Sequence, residues 1–206
     1  MMKISVLPVG PIQANCYLLC DEIEKRCAVI DPGGEGVARA VKMTDCELSA
    51  IFLTHGHYDH TGGVEELRQQ YPGVPVYLNR RDQHTERRKW QLCPPIENTT
   101  NYDEGDVLSV GSLKVEVLAT PGHSGGSVTL KCGDCLFTGD TLFAGSCGRT
   151  DFPDGSMTAI MASLRRLGQL EGDWQVLPGH MENSTMEAER RHNPYLRQAL
   201  GKGYFG

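Results

Sequence analysis

The stretch "THGHYDHTGG", residues 54–63, crowds His55, His57, Asp59 and His60 into six positions of a chain with only seven histidines. A polar loop or a pH-sensitive cluster would account for one such residue, but not for four. Burying three imidazoles and a carboxylate together without a cation leaves unpaired polar groups in a cramped loop. Attraction to a shared metal ion explains the crowding, because imidazole and carboxylate are the ordinary ligands of divalent metals. His55 and His57, two residues apart, can point the same way from an extended segment. Asp59 and His60 follow at the turn into a helix and can face a second point.

Four apolar runs repeat the theme. "AIFLT" leads into His55, "VEVLATPG" into His123, "CLFTG" into Asp140 and "QVLPG" into His180. Each reads as a strand that delivers a ligand at its C-terminal end, where sites in sheets flanked by helices tend to lie. Five of the seven histidines sit in these positions. His84 and His192 fall in polar, helix-like stretches and read as surface residues. The donors His55, His57, Asp59, His60, His123, Asp140 and His180 are too many for one tetrahedral ion. Two ions sharing a carboxylate fit the count, and Asp140 is the natural bridge because its two oxygens can serve both.

The elements that must position these donors are legible in the periodicity. "KISVLPV", "NCYLLC" and "RCAVID" read as strands, the last two joined through "DEIEKR", and "DPGG" as a turn. "EGVARAVKM", "GGVEELRQQY" and "SMTAIMASLRRLGQL" have helical spacing, the last capped by Ser156. "LSAIFLT", "VPVYL", "DVLSV", "LKVEVLAT" and "WQVLPGH" read as strands, and "QLCPPIENTTN" as a surface loop. "SVTLKCGDCLFTGD" reads as a hairpin with Cys132 and Cys135 at its tip. "STMEAERRH" has Ser184 and Glu187 in capping-box spacing, and Pro194 ends or kinks that helix.

At 206 residues, 39% hydrophobic and 22% charged, the chain has the size and composition of one ordinary soluble domain spanning 1–206. A net charge of -6 argues against a nucleic-acid surface. The basic run "RRDQHTERRKW" (80–90) reads as a solvated helical face. The N-terminus lacks a signal-peptide pattern and no stretch is apolar enough to span a membrane, so a cytoplasmic location is expected. The eight cysteines then read as reduced, small apolar residues.

In order, "IDPGG", "THGHYDH", "TPGHSGGS", "GDTLF" and "PGH" resemble the metallo-β-lactamase superfamily of metal-dependent hydrolases. The resemblance implies an α/β fold, a four-layer αβ/βα sandwich with two mixed β-sheets flanked by helices and the site at one edge between them. It assigns His55, His57 and His123 to a first metal, Asp59, His60 and His180 to a second, and Asp140 to both. Asp31 looks like the acid that orients the ligand-bearing loop. The implied cofactors are two divalent ions, zinc first, with iron or manganese as alternatives.

Within the superfamily the chain looks most like the short glyoxalase II-like (hydroxyacylglutathione hydrolase-like) proteins, through Asp140, "GSCGRTDFP" and "ERRHNPYL". The implied reaction is hydrolysis of a small thioester, such as S-lactoylglutathione or another glutathione conjugate, by hydroxide generated at the metals, with Asp59 orienting it. Two departures stand out. Only 26 residues follow His180, so the C-terminal helical domain of full-length glyoxalase II is not expected. The tyrosine those enzymes use for glutathione has no counterpart in "GRTDF". Arg149 is the remaining candidate for a substrate carboxylate, and reads equally as a loop ion pair. The rival implied activity is an iron-dependent glutathione persulfide dioxygenase, for which His55, His123 and Asp140 could supply the iron triad.

Overall fold

The computed structural model describes residues 1–83 and 92–202. Two sheets form from strands whose side chains alternate between two apolar environments. The first sheet has the order β1 (Met2–Val9), β2 (Ala14–Asp21), β3 (Arg26–Ile30), β4 (Glu47–Phe52) and β5 (Val76–Tyr77), antiparallel up to β3 and parallel from β3 to β5. The second contains β6 (Val107–Val110), β7 (Leu113–Ala119), β8 (Val128–Cys132), β9 (Cys135–Gly139), β12 (Gln175–Pro178) and β13 (Ser184–Thr185). Its order is β13-β12-β9-β8-β7-β6, with only β12 and β9 parallel. A separate ribbon, β10 (Leu142–Phe143) with β11 (Ser146–Cys147), lies between β9 and β12 in sequence.

The period of two sorts the core into three layers of apolar contact. On β2, Tyr17 and Leu19 face one way, while Cys16, Leu18 and Cys20 face the other. Tyr17, Leu19, Ala28, Ile30 and Phe52 meet Val115, Val117, Leu130 and Phe137 of the second sheet, so the two sheets pack face to face. The outer side of the first sheet is covered by α1 (Val37–Lys42) and α3 (Val64–Gln70) through Val37, Val41, Val64 and Leu67. The outer side of the second receives α4 (Met157–Gly168), α5 (Met186–His192) and α6 (Pro194–Ala199) through Leu164, Leu167, Met186 and Leu196. The result is helix, sheet, sheet, helix, as the resemblance implied.

Local chemistry sets the helix boundaries. Ser156 caps α4 by accepting from the Ala159 amide, as its spacing predicts. The capping box expected at Ser184 is displaced by one residue. Thr185 accepts from the Ala188 amide, while the Ser184 hydroxyl donates to Glu189 Oε1. With the Ser184 hydroxyl taken by Glu189, the next hydroxyl stands at the helix entrance. Pro194 starts α6 rather than kinking α5, with Asn193 Oδ1 accepting from the Tyr195 and Leu196 amides. Cys132 and Cys135 face each other at the β8–β9 tip as free thiols. No helix among the described residues is long and apolar enough to cross a membrane.

Candidate metal centre

All seven donors converge where the C-terminal ends of β4, β7, β9 and β12 meet. The chain leaves β4 through Leu53 and Thr54. His55 and His57 follow, and α2 (Tyr58–Thr61) turns Asp59 and His60 inward. Because β9 and β12 are parallel neighbours in register Pro178↔Gly139, Asp140 and His180 emerge side by side. The first sheet holds the second in place here. Asn15 Nδ2 donates to the carbonyls of Pro178 (3.0 Å) and Met181 (2.9 Å), and the Tyr17 hydroxyl donates to Pro178 (2.8 Å). "DPGG" is more than a turn: a Cβ on Gly33 would lie 1.6 Å from the Asp59 carbonyl oxygen, so the α2 entrance sits directly on that glycine.

Hydrogen bonds orient the rings. The Thr54 hydroxyl gives its one hydrogen to Asp31 Oδ2 (2.7 Å), so His55 Nδ1, 3.1 Å away, must donate to it. His60 Nδ1 donates to Asp31 Oδ2 (3.0 Å) and His123 Nδ1 to the Arg149 carbonyl (2.8 Å). Each ring is thereby left with Nε2 facing the centre. His55 Nε2, His60 Nε2 and Asp140 Oδ1 are buried without a hydrogen-bond partner, and each such orphan costs about 1–3 kcal/mol unless something satisfies it. Donor atoms of His55, His57 and His123 lie within 4.8 Å of one another, and so do those of Asp59, His60 and His180, and those of His55, His60 and Asp140. Asp140 faces both ways, with Oδ1 3.4 Å from His60 Nε2 and Oδ2 3.3 Å from His123 Nε2.

The electrostatics divide the cluster. Burial, then the neighbouring His60, pushes His55 well below the ordinary histidine range. Burial and His123 push His57 down to about 4. These two rings are neutral at physiological pH. Burial opposes charge on His60 as well, but Asp140 and Asp31 outweigh it and raise that group. Burial likewise opposes the charge on Asp59, yet the hydrogen bond from His180 and the charge of nearby His60 hold its carboxyl well below the usual range. Orphaned buried polar atoms, the neutral His55 and His57 rings and the ionised Asp59 form a donor set suited to divalent cations.

The metallo-beta-lactamase superfamily profile matches residues 9–180. The chain belongs to the metallo-beta-lactamase superfamily. Among curated relatives, the hydroxyacylglutathione hydrolase GloC of Haemophilus influenzae is 35% identical, over 95% of this chain and 98% of that one. The crystal structure of the BLEG-1 B3 metallo-beta-lactamase superposes with a TM-score of 0.83 at 32% identity, covering 94% of this chain and 99% of that one. ETHE1 from Myxococcus xanthus superposes with a TM-score of 0.81 at 32% identity, covering 94% and 84%. Membership makes a divalent-metal site of this His/Asp cluster.

In this superfamily member His57, Asp59, His123, Asp140 and His180 floor a cleft of about 580 Å³. Its walls are largely apolar, with Ile12, Tyr58, Phe143, Phe152 and Met181 around the rim and Cys147 at one side. Phe152 stands edge-on to His57, at 5.1 Å between centroids, and to His123. Arg149 reaches the same cleft, stacked over Phe152 at 4.4 Å, with its Nε and Nη2 both on the Asp151 carboxylate (2.7 and 2.6 Å). The ion pair and the cleft position therefore coexist. His192 is exposed on the last turn of α5, and His84 lies outside the described residues.

Asp82 was hidden from sequence reasoning. It sits in the basic run read as a solvated face, yet it is buried at the end of a 3₁₀ turn, Arg80–Asp82, and its carboxylate points at the site loops. Residues 84–90 of that run lie outside the described residues. The only signal available was an acid directly after two arginines.

Proposed function

We propose that this protein is a binuclear metal-dependent hydrolase of small hydroxyacyl thioesters, with S-lactoylglutathione as the type substrate. The observation that carries the reading is the complete second donor set, Asp59, His60 and His180, beside the first. His55, His57 and His123 would hold one ion, Asp59, His60 and His180 the other, and Asp140 would touch both. Bound divalent ions supply acidification of water and polarisation of a carbonyl. The chain's own residues do the rest. Asp59, kept ionised, accepts a hydrogen bond from the attacking water and aims its lone pair at the thioester carbon. Asp31 and the Arg149 carbonyl fix the ring orientations that keep the donors converged. The apolar rim strips water from the acyl group. The free edge of the Arg149 guanidinium, Nη1, is available to a carboxylate at the far end of the substrate. GloC, similar over nearly its whole length, supports the thioester reading.

The likeness to ETHE1 favours a second reading, the persulfide dioxygenase on His55, His123 and Asp140. A hydrolase takes its oxygen from water, whereas a dioxygenase consumes dioxygen. We expect the protein to cleave S-lactoylglutathione in strictly anaerobic buffer, with loss of thioester absorbance equal to the free thiol released. Absence of anaerobic cleavage together with rapid oxygen uptake on glutathione persulfide would establish the dioxygenase. Faster turnover of a chromogenic β-lactam than of any thioester would refute both.

A further inference from the structure

The carboxylate of Asp82 joins two loops that arrive from different sheets. Its Oδ2 accepts from the Gly56 amide (2.9 Å), between His55 and His57, and from the Ser124 hydroxyl (2.6 Å), next to His123. Its Oδ1 accepts from the Gly126 amide (2.7 Å). The Ser124 hydroxyl has one hydrogen and gives it to Asp82, so the Ser127 hydroxyl, 2.7 Å away, donates into Ser124. The backbone on both sides is shaped to admit the carboxylate. A Cβ on Gly126 would sit 2.6 Å from Asp82 Oδ1, and one on Gly56 would sit 2.9 Å from the Asp82 carbonyl oxygen. The turn that carries Asp82 is itself anchored, with Asn79 Oδ1 accepting from the Arg81 amide and Asn79 Nδ2 donating to the Tyr102 carbonyl (3.0 Å).

Among the described residues, the three donors to Asp82 lie on the His55/His57 loop and the His123 loop, and none lies on α2 or beside Asp140 or His180. Asp31, by contrast, reaches both sides of the centre, holding His60 directly and His55 through the Thr54 hydroxyl. From the position of its donors we infer that Asp82 is the positioning residue of the first metal subsite: it sets the separation between the His55/His57 loop and the His123 loop, and it acts on that subsite alone. The inference rests on the two-ion reading of the centre. It does not depend on which substrate is cleaved. Asp82 touches no reacting atom, so its effect is on affinity for the ion. Partners behind metal ligands typically change that affinity about 10–100-fold.

The test is zinc titration of the full chain against a chromophoric chelator, after metal removal, with cobalt(II) absorption as a second readout. Asp82→Asn keeps the shape but turns an amide nitrogen toward an N–H or O–H donor. It is made in two backgrounds, His180→Ala, which leaves the first subsite, and His57→Ala, which leaves the second. In the first background Asp82→Asn should weaken the remaining ion about 10–100-fold and alter the cobalt spectrum. In the second, affinity and spectrum should stay unchanged. Ser124→Ala removes one of the three donors and should produce a smaller loss in the same background only, and the double variant should lose no more than Asp82→Asn alone. Should Asp82→Asn fail to fold, the Ser124→Ala comparison decides. Equal losses in both backgrounds, or none in either, overturn the inference. A wild-type chain that saturates at one zinc overturns the two-ion reading and this inference with it.

Discussion

Gly179 precedes His180, and the space a side chain there would need is already taken by two of the candidate donors. A Cβ there would lie 2.4 Å from Asp140 Oδ1 and 2.6 Å from His60 Cε1, whereas ordinary contact begins at 3.4 Å. The backbone at 179 is outside the left-handed region, so Gly179→Ala is permitted locally and its cost falls on the donors. To clear the methyl, the Asp140 oxygen must retreat by 1.0 Å. His60 cannot yield instead, because its Nδ1 is held on buried Asp31 at 3.0 Å. A displacement of this size at a reacting centre costs about 10²-fold in rate, equivalent to about 2.7 kcal/mol. Overpacking should also lower unfolding stability by about 1–3 kcal/mol. The control is Gly125→Ala, two residues beyond His123, where a Cβ meets nothing within 4 Å. That variant should stay within about twofold of wild type, as open surface positions do. The assay is thioester turnover with metal content measured on the same samples. If Gly179→Ala keeps its metals and matches Gly125→Ala in rate, then Asp140 and His60 do not hold the positions assigned to them in the working centre.

Metal content of protein purified with excess zinc should approach two ions per chain; His180→Ala should lose mainly one and Asp140→Ala should disturb both, as read by elemental analysis. Arg149→Ala should raise KM more than it lowers kcat in steady-state kinetics, since a group binding the far end of the substrate acts on ground and transition states alike. A fall in kcat alone would place Arg149 in the chemistry instead. Far from the centre, the Ser112 hydroxyl and amide hold the Asp21 carboxyl well below the usual range, with the Ile23 and Glu24 amides also on it. A depressed carboxyl contributes stability above its unfolded value of about 3.9 and loses it as pH falls through the folded value. Asp21→Asn should therefore melt lower than wild type at pH 7, and the gap should close as pH drops below about 4. A gap independent of pH would refute this role.

The donors were legible because metal chemistry restricts residue type and because strands end in ligands. "AIFLT", "CLFTG" and "QVLPG" announce both the strand and its load. The layered core was legible in β2, where the alternation of Cys16, Tyr17, Leu18 and Leu19 shows a strand buried on both faces. What stayed hidden depends on contacts distant in sequence. Asn15 and Tyr17 read as ordinary strand residues, yet they grip the loop that carries His180 from more than 160 positions away. Asp82 was masked by the arginines around it. The cap at Thr185 was missed because capping-box spacing cannot register that the Ser184 hydroxyl is taken by Glu189.

The placement of the donors across two sheets has a consequence in time. His55, His57, Asp59 and His60 enter the nascent chain together, but their partners His123, Asp140 and His180 come later, and 120 residues separate His60 from His180. At about 5–20 residues per second, the ribosome leaves the early histidines waiting roughly 6–24 s for the last donor. During that interval they form a loose peptide whose metal preference follows general affinity, in which copper outcompetes zinc. Geometry can select an ion only after the sheets have closed. The metal that this protein carries is therefore chosen by the pool that greets the finished fold, and recombinant chains folded in different metal supplies should emerge holding different ions.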